Sequence, residues 1–190
     1  MKKALRINRI VKQTRTEGFG NRYCIWVQGC SICCKGCINR EMWDKTEGEI
    51  YSVTSLIKDI EHQGKRIEGI TVLGGEPFEQ TQGLLELVRK CKEKGYTVIL
   101  FTGFLYEQIL EKKEQRDVLS YTDLLIDGPY MKEKRDFSRP WIGSSNQKYI
   151  FLSDKYSEKD LEKVQNKLEI RISKDGAVWI NGMGNINKWK

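Results

Sequence analysis

Ile70-Thr71-Val72-Leu73-Gly74-Gly75-Glu76-Pro77 is the stretch that decides the fold: an apolar, partly β-branched run that breaks into two glycines, an acid and a proline. Such a run suits a strand inside a sheet that ends in a tight loop. Helical spacing follows, with Leu84, Leu87, Val88 and Cys91 on one face over residues 81–94, closed by Gly95. Cys91 is therefore read as a core residue. A second apolar run, Thr97-Val98-Ile99-Leu100-Phe101, comes next. Strand, helix and strand with both strands apolar throughout is the pattern of a parallel βαβ unit.

The same alternation extends outward. Residues 22–28, Arg22-Tyr23-Cys24-Ile25-Trp26-Val27-Gln28, read as a strand ending at Gly29. Residues 52–62 read as a helix with Leu56, Ile57 and Ile60 on one face, stopped by Gly64. Further on, 105–113 is an amphipathic helix, and 123–127 and 148–152 are strands. This predicts an α/β fold, an open, partial TIM-type barrel of five or six parallel βα units, with functional loops at the carboxyl ends of the strands. Past residue 153 the pattern changes to a charged helix at 157–167, then two β-prone runs, Glu169-Ile170-Arg171-Ile172 and Val178-Trp179-Ile180, around the hairpin signal Asp175-Gly176. The expected organisation is a main domain over 1–153 with a helix–hairpin extension, 154–190, packed on its edge.

The chain has 190 residues, 39% of them hydrophobic, and a formal charge of +7, which suits a packed core under a mixed, mildly basic surface. Lysines and arginines are spread along the chain instead of forming an aromatic-interleaved tract, so no direct nucleic-acid partner is expected. No signal-type apolar segment follows the charged N-terminus, and no run of about 18 apolar residues could cross a bilayer. The expectation is a cytoplasmic protein with no membrane partner. Four of its six cysteines fall between Cys30 and Cys37, a density that in a reducing compartment signals metal or cluster ligation rather than disulfides.

Cys30-Ser31-Ile32-Cys33-Cys34-Lys35-Gly36-Cys37 contains the spacing C-x3-C-x2-C through Cys30, Cys34 and Cys37. Three thiolates on four irons leave one iron open, whereas an electron-transfer cluster ordinarily has four cysteines. The competing reading is zinc, which needs a fourth ligand from Cys33, Cys24 or the single histidine, His62. Cys24 falls on a predicted strand, Cys33 abuts Cys34, and His62 ends a predicted helix with no paired ligand beside it.

The chain resembles the radical S-adenosylmethionine superfamily, and within it the glycyl-radical-enzyme activases of the anaerobic ribonucleotide reductase type. The resemblance runs in order through Gly18-Phe19-Gly20-Asn21-Arg22, Trp26-Val27-Gln28-Gly29-Cys30, Cys34-Lys35-Gly36-Cys37-Ile38-Asn39, Trp43-Asp44, Gly74-Gly75-Glu76-Pro77, Thr102-Gly103-Phe104, Asp127-Gly128-Pro129-Tyr130 and Gly143-Ser144-Ser145-Asn146-Gln147. It implies a [4Fe–4S] cluster on Cys30, Cys34 and Cys37, with S-adenosylmethionine on the open iron. Gly74, Gly75 and Glu76 would bind the methionine amino group, and Gly36 and Ile38 would flank the cofactor. Thr102 would contact its ribose or carboxylate, and Asp127 would hold a cation or orient that carboxylate. Asn146 and Gln147 would line the mouth of the site.

The implied chemistry is reductive cleavage of the cofactor to a 5′-deoxyadenosyl radical, which abstracts a hydrogen atom from a glycine of a partner glycyl radical enzyme. That partner would be an anaerobic ribonucleotide reductase, with a flavodoxin- or ferredoxin-type protein as electron donor. The alternatives are a radical S-adenosylmethionine enzyme acting on a small metabolite or peptide, and a metal-stabilised binding module.

Overall fold

A computed structural model describes residues 3–183; the ends of the expected main domain (1–2) and extension (184–190) lie outside them. In chain order the elements are β1 (Ala4–Thr14), β2 (Arg22–Val27), β3 (Glu49–Ser52), α1 (Val53–Gln63), β4 (Gly69–Gly74), α2 (Thr81–Glu93), β5 (Thr97–Phe101), α3 (Tyr106–Glu111), α4 (Lys113–Leu119) and β6 (Leu124–Asp127). β7 (Lys148–Phe151), α5 (Glu158–Leu161), β8 (Leu168–Ile172) and β9 (Val178–Gly182) complete the series.

Seven strands form one open sheet in the order β3-β1-β2-β4-β5-β6-β7. Its centre, β2-β4-β5-β6, is parallel and carries the apolar runs expected to alternate with helices. The edges differ from the expected succession of five or six parallel units. β7 runs antiparallel to β6, and β1 and β3 form an antiparallel pair outside β2. The fold is thus mixed α/β with an unclosed sheet. β1 escapes sequence reading because only Leu5 and Ile7 alternate cleanly into the core, and register shifts near Ile7 and Thr14 break the period among charged residues.

The helices form where the spacing places them. Ser52 caps α1 by accepting the Ser55 N–H at 3.1 Å, and Leu56 and Ile60 are buried beneath it. In α2, Leu84, Leu87, Val88 and Cys91 are fully buried, so Cys91 is a core thiol as expected. These side chains pack with Ile25, Val27, Ile70, Val72, Val98 and Leu100 on one face of the sheet. The other face carries Ile99, Leu124 and Ile126 beneath Trp141, Ile142 and Tyr156.

Two expected helices come out differently. The one at 105–113 gives way to α3 and α4, because Lys112 is extended at φ −104° and ψ 118°. The one at 157–167 shrinks to the single turn α5, and Asn166 is instead bonded to the carbonyls of Phe137 and Arg139 and to the Trp141 N–H. The hairpin β8–β9 forms around Asp175-Gly176. It is held against the β1–β2 connection by Asn181, which donates to Thr14 and Thr16, and by the Gly182 N–H, which donates to Glu17. No helix among the described residues is long and apolar enough to cross a membrane.

Arg22, at the start of β2, is fully buried. Its guanidinium donates to Thr71 Oγ1 (3.2 Å), Thr97 Oγ1 (2.6 Å), the Tyr156 hydroxyl (3.1 Å) and the carbonyls of Ile70 and Thr97. One side chain therefore ties β2 to β4, β5 and the segment after β7. Replacing Arg22 with Met keeps the stem but strands these acceptors away from water, so stability should fall by about 3 kcal/mol in urea denaturation. A loss under about 1 kcal/mol would mean that the acceptors find other partners.

Candidate active site

The carboxyl ends of β2, β4, β5 and β6 meet at one cavity. Cys30, Cys34 and Cys37 line it from the loop after β2, Gly74, Gly75 and Glu76 from the end of β4, Thr102 and Gly103 from the end of β5, and Gly128 and Tyr130 from the loop after β6. Ile32, Trp43, Phe101 and Gln147 complete the wall. Segments far apart in sequence are brought together because parallel strands all present their carboxyl ends on one side.

The cysteine loop is anchored at both ends by backbone bonds. Gly29 donates to the carbonyl of Met42 (2.8 Å) and Cys30 to that of Trp43 (3.1 Å), while Cys37 N–H closes a turn onto Cys34 (3.0 Å). Gln28 reinforces the closure by donating to the carbonyls of Glu41 (2.9 Å) and Asp44 (2.8 Å). The other thiols lie elsewhere. Cys33 is exposed and donates to the carbonyl of Cys30, Cys24 is buried within β2 as expected, and His62 is exposed at the end of α1. None of the three candidates for a fourth zinc ligand lines the cavity.

Among the described residues no three His, Cys, Asp or Glu side chains are arranged to hold a single metal ion. Three thiols around a shared cavity, with no fourth cysteine or histidine among the residues lining it, fit an iron–sulfur group larger than a single ion. Burial pushes the Cys30 and Cys34 thiols up. It is opposed by the backbone N–H groups of Cys33 and Ile32 at Cys30 and by that of Tyr130 at Cys34.

Glu76 is fully buried. One oxygen accepts from the Phe78 N–H (2.9 Å) and the Thr102 hydroxyl (2.9 Å), and the other from the Gly103 N–H (2.8 Å). No lysine or arginine among the described residues pairs with it, and burial pushes its carboxyl up to about 7 against these three donors. A buried carboxylate that is oriented but lacks a counter-charge is suited to a cationic group entering the cavity. Thr102 is thus a support for Glu76, and it also accepts the Phe104 N–H at 3.1 Å.

Three of the residues expected at the cofactor stand apart from the cavity. Asp127 is buried, but its carboxylate accepts the N–H groups of Tyr106 (2.8 Å) and Lys148 (3.3 Å), joining the start of α3 to β7. Ile38 is 91% exposed. Gly36 does not line the wall; its nearest neighbours are the side chains of Lys132 and Tyr130. Gln147 reaches the wall, but its amide is taken up by the Gly143 and Ser144 N–H groups and the Gly128 carbonyl, while Asn146 donates to the Pro129 carbonyl. Trp43, Phe101 and Tyr130 also line the cavity, a role the sequence does not signal because lone aromatics give no local sign of sharing a wall.

Comparison with known proteins gives the family. The family model described as a 4Fe-4S single cluster domain matches residues 16–150. The anaerobic ribonucleoside-triphosphate reductase-activating protein of Haemophilus influenzae is 34% identical over 140 residues, which is 69% of this chain and 88% of the relative. The chain belongs to this family of activating proteins. The activating protein of Enterobacteria phage T4 is 32% identical over 138 residues, 70% of this chain and 85% of the relative. That of Escherichia coli K12 is 28% identical over 138 residues, 69% and 88% respectively. In this chain the segment matched by the family model contains every residue that lines the cavity.

The raised pKa of Glu76 sets a pH dependence. Between about pH 4.3, where an ordinary glutamate ionises, and about 7, the folded protein holds a proton that the unfolded chain has released. Stability of the ligand-free protein should therefore decline as pH rises through that window. Glu76→Gln should remove this part of the slope, so the variant gains on the wild type between about pH 5 and about pH 8 in chemical denaturation. An identical slope in both proteins would mean that Glu76 ionises at its ordinary pH.

Proposed function

We propose that this chain is the activase of an anaerobic ribonucleotide reductase, a radical S-adenosylmethionine enzyme whose [4Fe–4S] cluster is held by Cys30, Cys34 and Cys37. The observation that carries the reading is that these three thiols and the Gly74-Gly75-Glu76 strand end line one cavity, with no fourth cysteine or histidine there. When bound, the cluster and S-adenosylmethionine supply one-electron cleavage of the cofactor to a 5′-deoxyadenosyl radical, which takes a hydrogen atom from a glycine α-carbon of the partner reductase.

The chain's own residues serve binding and orientation. Three thiolates satisfy three irons and leave the fourth for a ligand that is not a side chain. Glu76, aimed by Thr102, Gly103 and Phe78, accepts the cofactor's ammonium group. Gly74 and Gly75 let the end of β4 close on the end of β2, which brings Glu76 beside the cysteine loop, and Trp43, Phe101 and Tyr130 offer flat apolar surface for an adenine ring.

The chemistry belongs to the domain over residues 1–153, with 154–190 an extension; a family match that ends at residue 150 supports this division. Six free cysteines suit a reducing cytoplasm, where a flavodoxin- or ferredoxin-type protein would supply the electron.

Anaerobic reconstitution tests the proposal. The protein should take up about four irons per chain and, with reductant and S-adenosylmethionine, release 5′-deoxyadenosine. Cys34→Ala should abolish both, and retention of either would contradict the ligand set. Adding the partner reductase should produce a glycine-centred doublet in electron paramagnetic resonance; cofactor cleavage without that doublet would point to another substrate.

A further inference from the structure

We propose that Glu79 is a positioning residue for the cysteine loop, holding the chain directly after Cys30 through Ser31 and, with Lys45, setting the charge beside it. This inference rests on the cluster reading above. Glu79 lies on the short turn Pro77–Gln80 after the Gly-Gly-Glu-Pro segment and does not line the cavity. Its carboxylate nevertheless reaches the loop. Oε1 accepts the Ser31 N–H at 2.7 Å and also the Ser31 hydroxyl, and Oε2 pairs with Lys45 Nζ at 2.7 Å.

Ser31 follows Cys30 directly. Lys45 covers the residue before it, since a Cβ built on Gly29 would lie 3.2 Å from Lys45 Cγ. Among the described residues, no other side chain from outside the loop hydrogen-bonds to residues 31–36. The Glu79 side chain is only 16% exposed, so its bonds to Ser31 are partly shielded from competing water. The turn carrying Glu79 begins at Glu76, whose own N–H donates to the Gly29 carbonyl at 2.8 Å. A single short segment therefore presents one carboxylate to the cavity and a second to the loop.

Two consequences separate this role from simple packing. An outer partner that fixes a ligand's orientation commonly matters on the order of tenfold for metal retention. A fixed anion and cation beside a cluster ligand also move its reduction potential in opposite directions, because adding an electron is opposed by the anion and favoured by the cation.

The test compares wild type, Glu79→Gln and Lys45→Gln. In cluster-free protein, Glu79→Gln should speed hydrogen exchange across residues 30–37 without changing the circular dichroism. After reconstitution, Glu79→Gln should lose iron to a chelator on the order of tenfold faster. In a potentiometric titration its cluster should reduce at a more positive potential than wild type, and that of Lys45→Gln at a more negative one. Wild-type exchange, iron retention and potentials in both variants would overturn the proposal while leaving the cluster reading intact. Failure of the wild type itself to take up a cluster would instead overturn that reading. Should Glu79→Gln fail to fold, Lys45→Gln decides, and an unshifted or positive potential there counts against the proposal.

Discussion

The carbonyl of Gly29 accepts the Glu76 N–H at 2.8 Å, and the carbonyl of Val27 accepts that of Gly75 at the same distance. These bonds continue the β2–β4 pairing one step beyond both strands, where the chain has already turned into functional loops. The approach leaves no room for side chains. A Cβ on Gly75 would lie 2.3 Å from the Gly29 oxygen, and one on Gly74, at φ +109°, would lie 2.7 Å from the Val27 nitrogen. Without this contact the first cysteine and the buried glutamate would have no fixed relation. With it, the three thiols and a buried carboxylate line one cavity.

The surroundings of Glu76 show how the fold offsets a costly feature. An ionised carboxylate away from water needs donors or a counter-charge, and the end of β5 supplies donors through Thr102 and Gly103. Asp127 at the end of β6 is a contrasting case, because its two oxygens are satisfied by backbone of α3 and β7. Two acids at equivalent places in the sheet thus have different tasks. One is open to the cavity, and the other joins the wall together.

The antiparallel edges shape the rest. β7 returns alongside β6 and brings Gln147 to the cavity wall, where its amide bridges Gly128 to Gly143 and Ser144. At the other side β1 and β3 extend the sheet beyond β2, and the Lys3 carbonyl receives the Val53 N–H as α1 begins. All the large helices then pack on a single face. On the opposite face Met42 packs with Trp26 and Leu73, and Phe19, Trp141 and Tyr156 cover the β5–β6 side, with Phe19 stacked on Tyr156 at 4.4 Å and edge-on to Trp141 at 4.8 Å.

Local sequence determined the four parallel strands, the two long helices, the terminal hairpin and the cysteine spacing, because each depends on residues a few positions apart: period, caps and turn chemistry. It could not determine the direction of β7 or the existence of β1, since pairing partners are chosen by contacts across the sheet. Nor could it show that Asp127, unlike Glu76, stands apart from the cavity, because that depends on the Tyr106 and Lys148 N–H groups that reach it in the folded chain. Glu79 was silent for the same reason: its partners Ser31 and Lys45 become neighbours only once β2 and β4 lie side by side. Tertiary structure alone decided which polar groups were already satisfied and which faced the cavity with capacity to bind, because hydrogen-bond satisfaction is a property of the packed chain and not of any segment.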